Sequence, residues 1–213
     1  MKFILHTSVW GKYHTDTYLK YSLSSILGQL SLIKHTENLS FQYNLFTTKE
    51  SYEEIISNTN FIELNKIINI KINTNILSNK LKSDNNFQEL NNFCISNTLS
   101  EVLSEDAAFC WIIPDVIHAN NFFDKIVETY SSGKRILLAP SHTRCCEEVL
   151  HILLKNFSNE KKYISISSRD LTKISFNYIC KISAYKNYYN YYNPTADQQI
   201  YYYYKGNYIC HAT

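Results

Sequence analysis

Apolar and polar positions along this chain switch between a period of about two and a period of about 3.6, which predicts strands and helices in alternation. Lys2 to Ser8 is a short apolar run that reads as a first strand, and Asp16 to Leu30 follows with Tyr18, Tyr21 or Ser22, Ser25 and Leu27 at helical spacing. Phe41 to Thr47, rich in aromatic and aliphatic residues, predicts a second strand. It leads into a helix signalled by Ser51 and Glu54 at capping-box spacing. Ile68, Ile70 and Ile72 alternate with Asn69, Lys71 and Asn73, the pattern of a strand with one buried face. Beyond a polar loop through Asp84-Asn85-Asn86, a helix is predicted from Phe87 to Leu103 with Leu90, Cys94, Leu99 and Val102 inward.

Ala108 to Ile113 is continuously apolar, as expected of a central parallel strand buried on both faces, and Pro114-Asp115 ends it. Asn121 is placed to cap a helix through Tyr130 that Gly133 terminates, and Arg135 to Ala139 supplies another buried strand before Pro140. Further helices are predicted at Cys145 to Asn156 and, capped by Ser167 or Ser168, at Arg169 to Ser183. Tyr188 to Tyr204 is aromatic and polar, and Lys205-Gly206-Asn207 can turn it back into Tyr208 to His211. The expected architecture is α/β: a doubly wound, mostly parallel sheet flanked by helices, with a short C-terminal hairpin. Residues 1–183 would form the α/β domain and 184–213 a Tyr-rich extension packed on it.

Composition narrows the partners. Of 213 residues, 45% are hydrophobic and 19% charged, too apolar for disorder, while the longest apolar runs are too short to cross a bilayer. The N-terminal apolar run stops at His6, Thr7 and Ser8, short of a signal peptide, so the expectation is a soluble, cytoplasmic protein with no transmembrane segment. Net charge is +2 without a Lys/Arg block, which argues against nucleic acid as a partner. Six cysteines form no C-x-x-C pair and no zinc spacing, and the expectation is reduced, structurally passive thiols. No H-E-x-x-H, G-x-G-x-x-G, P-loop or G-x-S-x-G is present.

Ligands of parallel α/β sheets bind beyond the carboxyl ends of the strands. Three such ends carry candidate chemistry: Ser8-Val9-Trp10, Thr47-Thr48 and Pro114-Asp115. Asp115 reads either as a ligand for a hard cation or as a cap of the segment after it. Trp10 with Gly11 reads either as a ring beside a base or sugar with close backbone approach, or as a Trp buried at a strand exit. Thr47 and Thr48 suit a base edge or a simple helix cap. Arg144 can meet a diphosphate, and Asp197 or His211 in the tail can complete a cation site or take a proton from an acceptor hydroxyl.

Taken in order, strand-Trp10-Gly11, the helix with Leu23-Ser-Ser-Ile-Leu27, Tyr43-Asn-Leu-Phe-Thr-Thr48 and Trp111-Ile-Ile-Pro-Asp115 resemble the GT-A glycosyltransferases of bacterial surface-polysaccharide synthesis. Asp115 falls in the place of that family's D-x-D motif, with Ile113 where the first Asp would stand. Asp197-Gln198 is similar to a late Asp-Gln pair of some retaining families, and His211 to their C-terminal metal-binding His. The resemblance implies a GT-A fold and transfer of a sugar from a nucleoside diphosphate donor to a hydroxyl of a glycan or lipid-linked acceptor. Peripheral association with a membrane stays open. It further implies Mn²⁺ or Mg²⁺ on Asp115 and His211, nucleotide contacts from Trp10, Gly11, Thr47, Thr48 and Asp115, and catalytic roles for Asp197 and Arg144. Because Thr213 follows His211 so closely, a fragment or a minimal variant is expected. The missing first Asp keeps a non-catalytic nucleotide- or glycan-binding protein of the same fold as the alternative.

Overall fold

The computed structural model describes residues 1–33, 39–80, 86–134, 148–158, 163–177, 199–204 and 207–212. In chain order its elements are β1 (Lys2–Ser8), α1 (Lys12–Thr17), a π-helical turn (Tyr18–Ser22), α2 (Leu23–Leu30), β2 (Ser40–Phe46), α3 (Lys49–Ser57), α4 (Thr59–Ile67), β3 (Asn69–Asn73), α5 (Asn75–Lys80), α6 (Phe87–Ser104), β4 (Ala108–Trp111), α7 (Phe122–Ser131), α8 (Glu148–Phe157), α9 (Ser168–Asn177), β5 (Gln199–Tyr204) and β6 (Asn207–Ala212). They fall into two compact units, Met1–His118 and Ala119–Thr213.

The first unit holds a four-stranded, all-parallel sheet in the order β3-β2-β1-β4, with helices between successive strands. This is the doubly wound α/β plan expected from the alternation of elements. The run beginning at Ala108 forms β4, which pairs with β1 alone among the described residues. One expectation is corrected: Ala108, Phe109 and Cys110 are half-buried and Trp111 is 49% exposed, so the strand is not buried on both faces. β1 and β2 each have two neighbours.

Register assigns the two faces. Phe3, Leu5 and Thr7 align with Phe41, Tyr43 and Leu45, and this face meets the π-helical turn where Tyr18 bonds Tyr43. Phe3 and Phe41 stack with ring centroids 5.3 Å apart. Ile4, His6 and Ser8 align with Gln42, Asn44 and Phe46 on the opposite face, which α6 covers. That face is polar at its centre. Asn86 caps α6 through the amides of Gln88 and Glu89, and the helix buries Leu90, Cys94, Thr98 and Val102, each four residues after the last. Leu99, expected inward, is 38% exposed, and the buried position belongs to Thr98. The reason is chemical: His6 lies beneath and needs a hydroxyl, and Thr98 Oγ1 lies 2.8 Å from its Nδ1 while Ser8 Oγ lies 3.0 Å from its Nε2. Toward the β3 side, Glu101 accepts from Gln42 at 2.8 Å and from Asn44 at 2.6 Å and pairs with Lys71.

In the second unit, α7 follows Asn121, which stands at the cap position in a left-handed conformation (φ 66°) without a side-chain cap bond. Gly133 (φ 82°) ends the helix with its amide on the carbonyl of Tyr130. Ser167 caps α9, accepting from the amide of Asp170 at 3.1 Å. β5 and β6 pair antiparallel, Gln199 opposite Ala212 and Tyr204 opposite Asn207. The strand expected at Arg135 to Ala139 and the continuation of α9 to Ser183 lie outside the described residues. Among the described residues, no helix is long and apolar enough to cross a membrane, and Cys94 and Cys110 are free thiols.

Two groups at the contact between α6 and the sheet respond to acid, His6 on β1 and Glu101 on α6. Burial lowers the His6 pKa to about 4, so the folded protein refuses a proton that the unfolded chain accepts below about 6.5. Stability is therefore unaffected above that value and declines as pH falls from about 6.5 to 4, by about 3 kcal/mol in the limit. Desolvation raises the Glu101 pKa, but the bonds from Lys71, Gln42 and Asn44 outweigh it and bring it to about 2. Its contribution is present above the ordinary carboxyl range and is lost as pH falls from about 4.5 to 2. Urea unfolding across pH should show both losses, and His6→Gln should flatten only the upper one. A second comparison tests the helix face: Thr98→Val should cost about 1–3 kcal/mol by orphaning a ring nitrogen, and Leu99→Ser should stay within about 0.5 kcal/mol.

Candidate functional site at the carboxyl edge of the sheet

The chain winds from β1 to β2 to β3 in one direction and returns to the other side of β1 for β4. The reversal makes a switch point between β1 and β4, and such points, at the carboxyl ends of the strands, are where open parallel sheets bind ligands. Residues leaving the sheet there are Val9, Trp10 and Gly11 after β1, and Ile112 to Asp115 after β4. The Thr47-Thr48 end belongs to β2, one strand away from the reversal.

Gly11 stands at φ 79° and ψ 142°, a conformation that disfavours any residue with a Cβ, and this sharp turn lets α1 start directly after β1. Nothing lies within 4 Å of where a Cβ would be, so the backbone at Gly11 is open to close approach. Trp10 is half-buried on the α6 side: it packs on the cluster Phe46, Leu77, Leu90 and Cys94, and its ring lies 4.9 Å from that of Phe87, which is 60% exposed. Thr48 caps α3, its hydroxyl accepting from the amide of Ser51 at 3.3 Å. The cap is therefore one turn earlier than the Ser51–Glu54 spacing suggested. Ser51 Oγ accepts from Thr15 at 3.1 Å, and Glu54 instead pairs with Lys12 at 3.1 Å. Thr47 is fully buried, its amide on the carbonyl of Asn73 and its hydroxyl without a partner among the described residues.

Asp115 is exposed, and its carboxylate makes no hydrogen bond or ion pair among the described residues. The backbone beneath it is tightly held. Ile112 donates its amide to the carbonyl of His6 at 2.8 Å, and its own carbonyl accepts from Thr7 Oγ1 at 2.8 Å. Thr7 in turn accepts from the Tyr43 hydroxyl at 2.7 Å, which accepts from the Tyr18 hydroxyl at 3.1 Å. Burial pushes the Tyr43 phenol up to about 12 against the lowering effect of Thr7 and Tyr18, and burial holds Tyr18 higher still. The chain of hydroxyls is thus neutral at any physiological pH. The carbonyl of Ile113 takes a longer contact, 3.5 Å, from Ser22 Oγ.

Of the residues singled out from sequence, β1 and β4 bring Trp10, Gly11 and Asp115 to one edge of the sheet. No hydrogen bond, ion pair or ring contact joins Trp10, Thr48 and Asp115 to one another among the described residues. Arg144 and Asp197 lie outside the described residues, and His211 is placed only by its backbone, opposite Ile200 in the β5–β6 pair. No group of three or more His, Cys, Asp or Glu that could hold a metal ion occurs among the described residues. Asp115 is nevertheless suited to a hard cation delivered with a diphosphate, since one carboxylate plus phosphate oxygens and water makes an adequate ligand set. Thr7, Ser22 and Phe87 were missed as site-forming residues. Ser22 had a signal, a small polar residue at an inward position of the helical spacing, beside Tyr18 and Ser25.

The conformation at Gly11 gives a direct test of this edge. Gly11→Ala should cost about 1–3 kcal/mol from backbone strain alone, with no clash to add to it. Thermal unfolding of the variant beside Gly133→Ala, at a helix end in the other unit, would separate strain at the site from a general effect.

No protein-family profile, no curated protein and no solved structure matches this chain.

Proposed function

We propose that the chain binds a nucleoside diphosphate sugar in the crevice between the β1 and β4 exits and transfers its sugar to a hydroxyl of a glycan or lipid-linked acceptor, as a GT-A-like glycosyltransferase. The observation that carries this reading is the switch point itself. The winding of an all-parallel β3-β2-β1-β4 sheet reverses beside an exposed Asp115, unpaired among the described residues, on one side and the open backbone of Gly11 on the other.

Each residue then has a task set by its chemistry. Gly11, without a side chain, lets a pyrophosphate or ribose approach the backbone. Trp10 offers the free part of its ring to a base or a sugar, held in place by Phe46, Leu77, Leu90 and Cys94. Asp115 supplies an anionic ligand. A divalent cation bound there would neutralise negative charge on the departing diphosphate.

Nucleoside diphosphate is expected to raise the melting temperature, through binding to the native state worth about 2.7 kcal/mol at a hundredfold excess over the dissociation constant. Thermal shift with UDP, GDP, CDP and ADP, each with and without Mn²⁺, measures this. Asp115→Ala should remove the cation-dependent part and leave the rest, and Mn²⁺ alone should do little. Melting unmoved by all four, with or without cation, would overturn the reading. Strong binding without turnover of any sugar donor would favour the non-catalytic alternative that Ile113 suggests. Metal-independent binding lost in Arg144→Ala would assign the diphosphate to a cationic side chain in place of an ion.

A further inference from the structure

The turn that carries Asp115 is fixed at both ends, and by different elements. At its start both backbone polar groups of Ile112 are taken, the amide by the carbonyl of His6 and the carbonyl by Thr7. At its end both backbone polar groups of His118 are taken by side chains of one helix: Ser25 Oγ accepts from the His118 amide at 3.2 Å, and Gln29 Nε2 donates to the His118 carbonyl at 3.0 Å. Ser25 and Gln29 are themselves linked, since Gln29 Nε2 also donates to the Ser25 carbonyl at 3.2 Å, and Ser25 Oγ donates to the Ser22 carbonyl at 2.8 Å. Between the ends, the amide of Val116 bonds the carbonyl of Ile113 at 3.3 Å, closing a tight turn with Pro114 and Asp115 at its apex.

A helix packed on a sheet face has no need of buried serine and glutamine, and leaving either unpaired would be costly. Yet Ser22, Ser25 and Gln29 are all at most 5% exposed, at spacings of three and four that align them on one stripe. The π-helical turn at Tyr18–Ser22 contributes at the other end: Tyr18 reaches Ile112 through Tyr43 and Thr7, and Ser22 reaches Ile113. Side chains from the single stretch Lys12–Leu30 thus act on residues 112, 113 and 118, with Asp115 between them.

We infer that Ser25 and Gln29 are positioning residues for Asp115: with the Thr7 bond at the opposite end, they hold the Ile112–His118 turn rigid, so that its carboxylate meets a diphosphate-bound cation without reordering. This rests on the proposed function for its ligand, but the ordering of the turn can be measured without any ligand. In Ser25→Ala/Gln29→Met, amide hydrogen exchange in residues 113–118 should quicken by about tenfold or more, as expected for two lost bonds, with β1 and β2 unchanged. The Mn²⁺-dependent part of the affinity for UDP, GDP, CDP or ADP should fall by about tenfold, while binding without cation stays at the wild-type level. Gln29→Glu keeps the shape and, while its carboxyl is ionised, lacks the donor, so at alkaline pH it should behave like Gln29→Met. Thr7→Val should loosen the same turn from its other end.

Unchanged exchange in residues 113–118, or a Gln29→Glu protein with full Mn²⁺-dependent affinity at alkaline pH, would overturn the inference. So would equal loss of cation-dependent and cation-free binding, which would mean that the helix merely supports the fold. Wild-type protein that binds none of the four diphosphates overturns the function, and this role with it. Wild-type binding that the variants leave intact overturns the clamp alone.

Discussion

Three consecutive polar side chains, His6, Thr7 and Ser8, lie buried at the carboxyl end of the interior strand β1, and satisfying them governs much of what surrounds them. Because successive residues of a strand point to opposite faces, the three cannot share partners. His6 and Ser8 face α6, where they bond each other and Thr98. Thr7 faces the other way and draws in Tyr43, Tyr18 and the Ile112 carbonyl. An unpaired polar group at any of these positions would cost about 1–3 kcal/mol, a large share of the stability of a small domain. The requirement therefore dictates a hydroxyl on α6, a phenol on β2 and the conformation of the β4 exit.

The same requirement explains what could and could not be read from sequence. β1, β2, β3 and α6 are legible because their burial is chiefly apolar and periodic. Thr98 was passed over for Leu99 because a hydrophobic periodicity scores leucine as inward, whereas the sheet beneath is polar and the inward position follows hydrogen bonding. α4, capped by Asn58 through the amides of Asn60 and Phe61, and α5 leave weak apolar patterns and were not anticipated. The run Ala108 to Ile113 is wholly apolar and so predicts burial on both faces, whereas β4 itself is half-buried and ends at an exposed Trp111, a difference set by what packs over the strand, which no local pattern contains.

For the candidate site, sequence reasoning found Gly11 and Asp115 because each ends a strand, and strand ends are where parallel sheets bind ligands. It did not find Ser25 and Gln29. Their partners are the backbone groups of His118, 93 and 89 residues away, and a backbone donor or acceptor leaves no mark in a side-chain pattern. The available hint was internal contradiction: Leu23-Ser-Ser-Ile-Leu-Gly-Gln-Leu30 is buried along its whole length, yet it carries two serines and a glutamine. Buried polar residues on a buried helix demand partners, and here the partners are backbone groups of the turn that carries Asp115.

Rigidity of that turn matters more with one carboxylate than it would with two. Two carboxylates chelate a cation between them and fix its position by their own geometry, whatever the backbone does. A single carboxylate on an exposed turn offers one bond, and a turn that moves by an ångström moves the ion with it. If Ile113 stands where a second carboxylate would be, as the proposed function has it, the missing constraint has to come from the main chain. The bonds at Ile112 and His118 supply it through neutral donors and acceptors, which neither titrate nor compete for the ion. On the proposed reading, then, the polar residues buried on β1 and along Lys12–Leu30 and the degenerate motif at Ile113–Asp115 are two sides of one solution, in which hydrogen bonds within the fold take over part of what a second ligand would do.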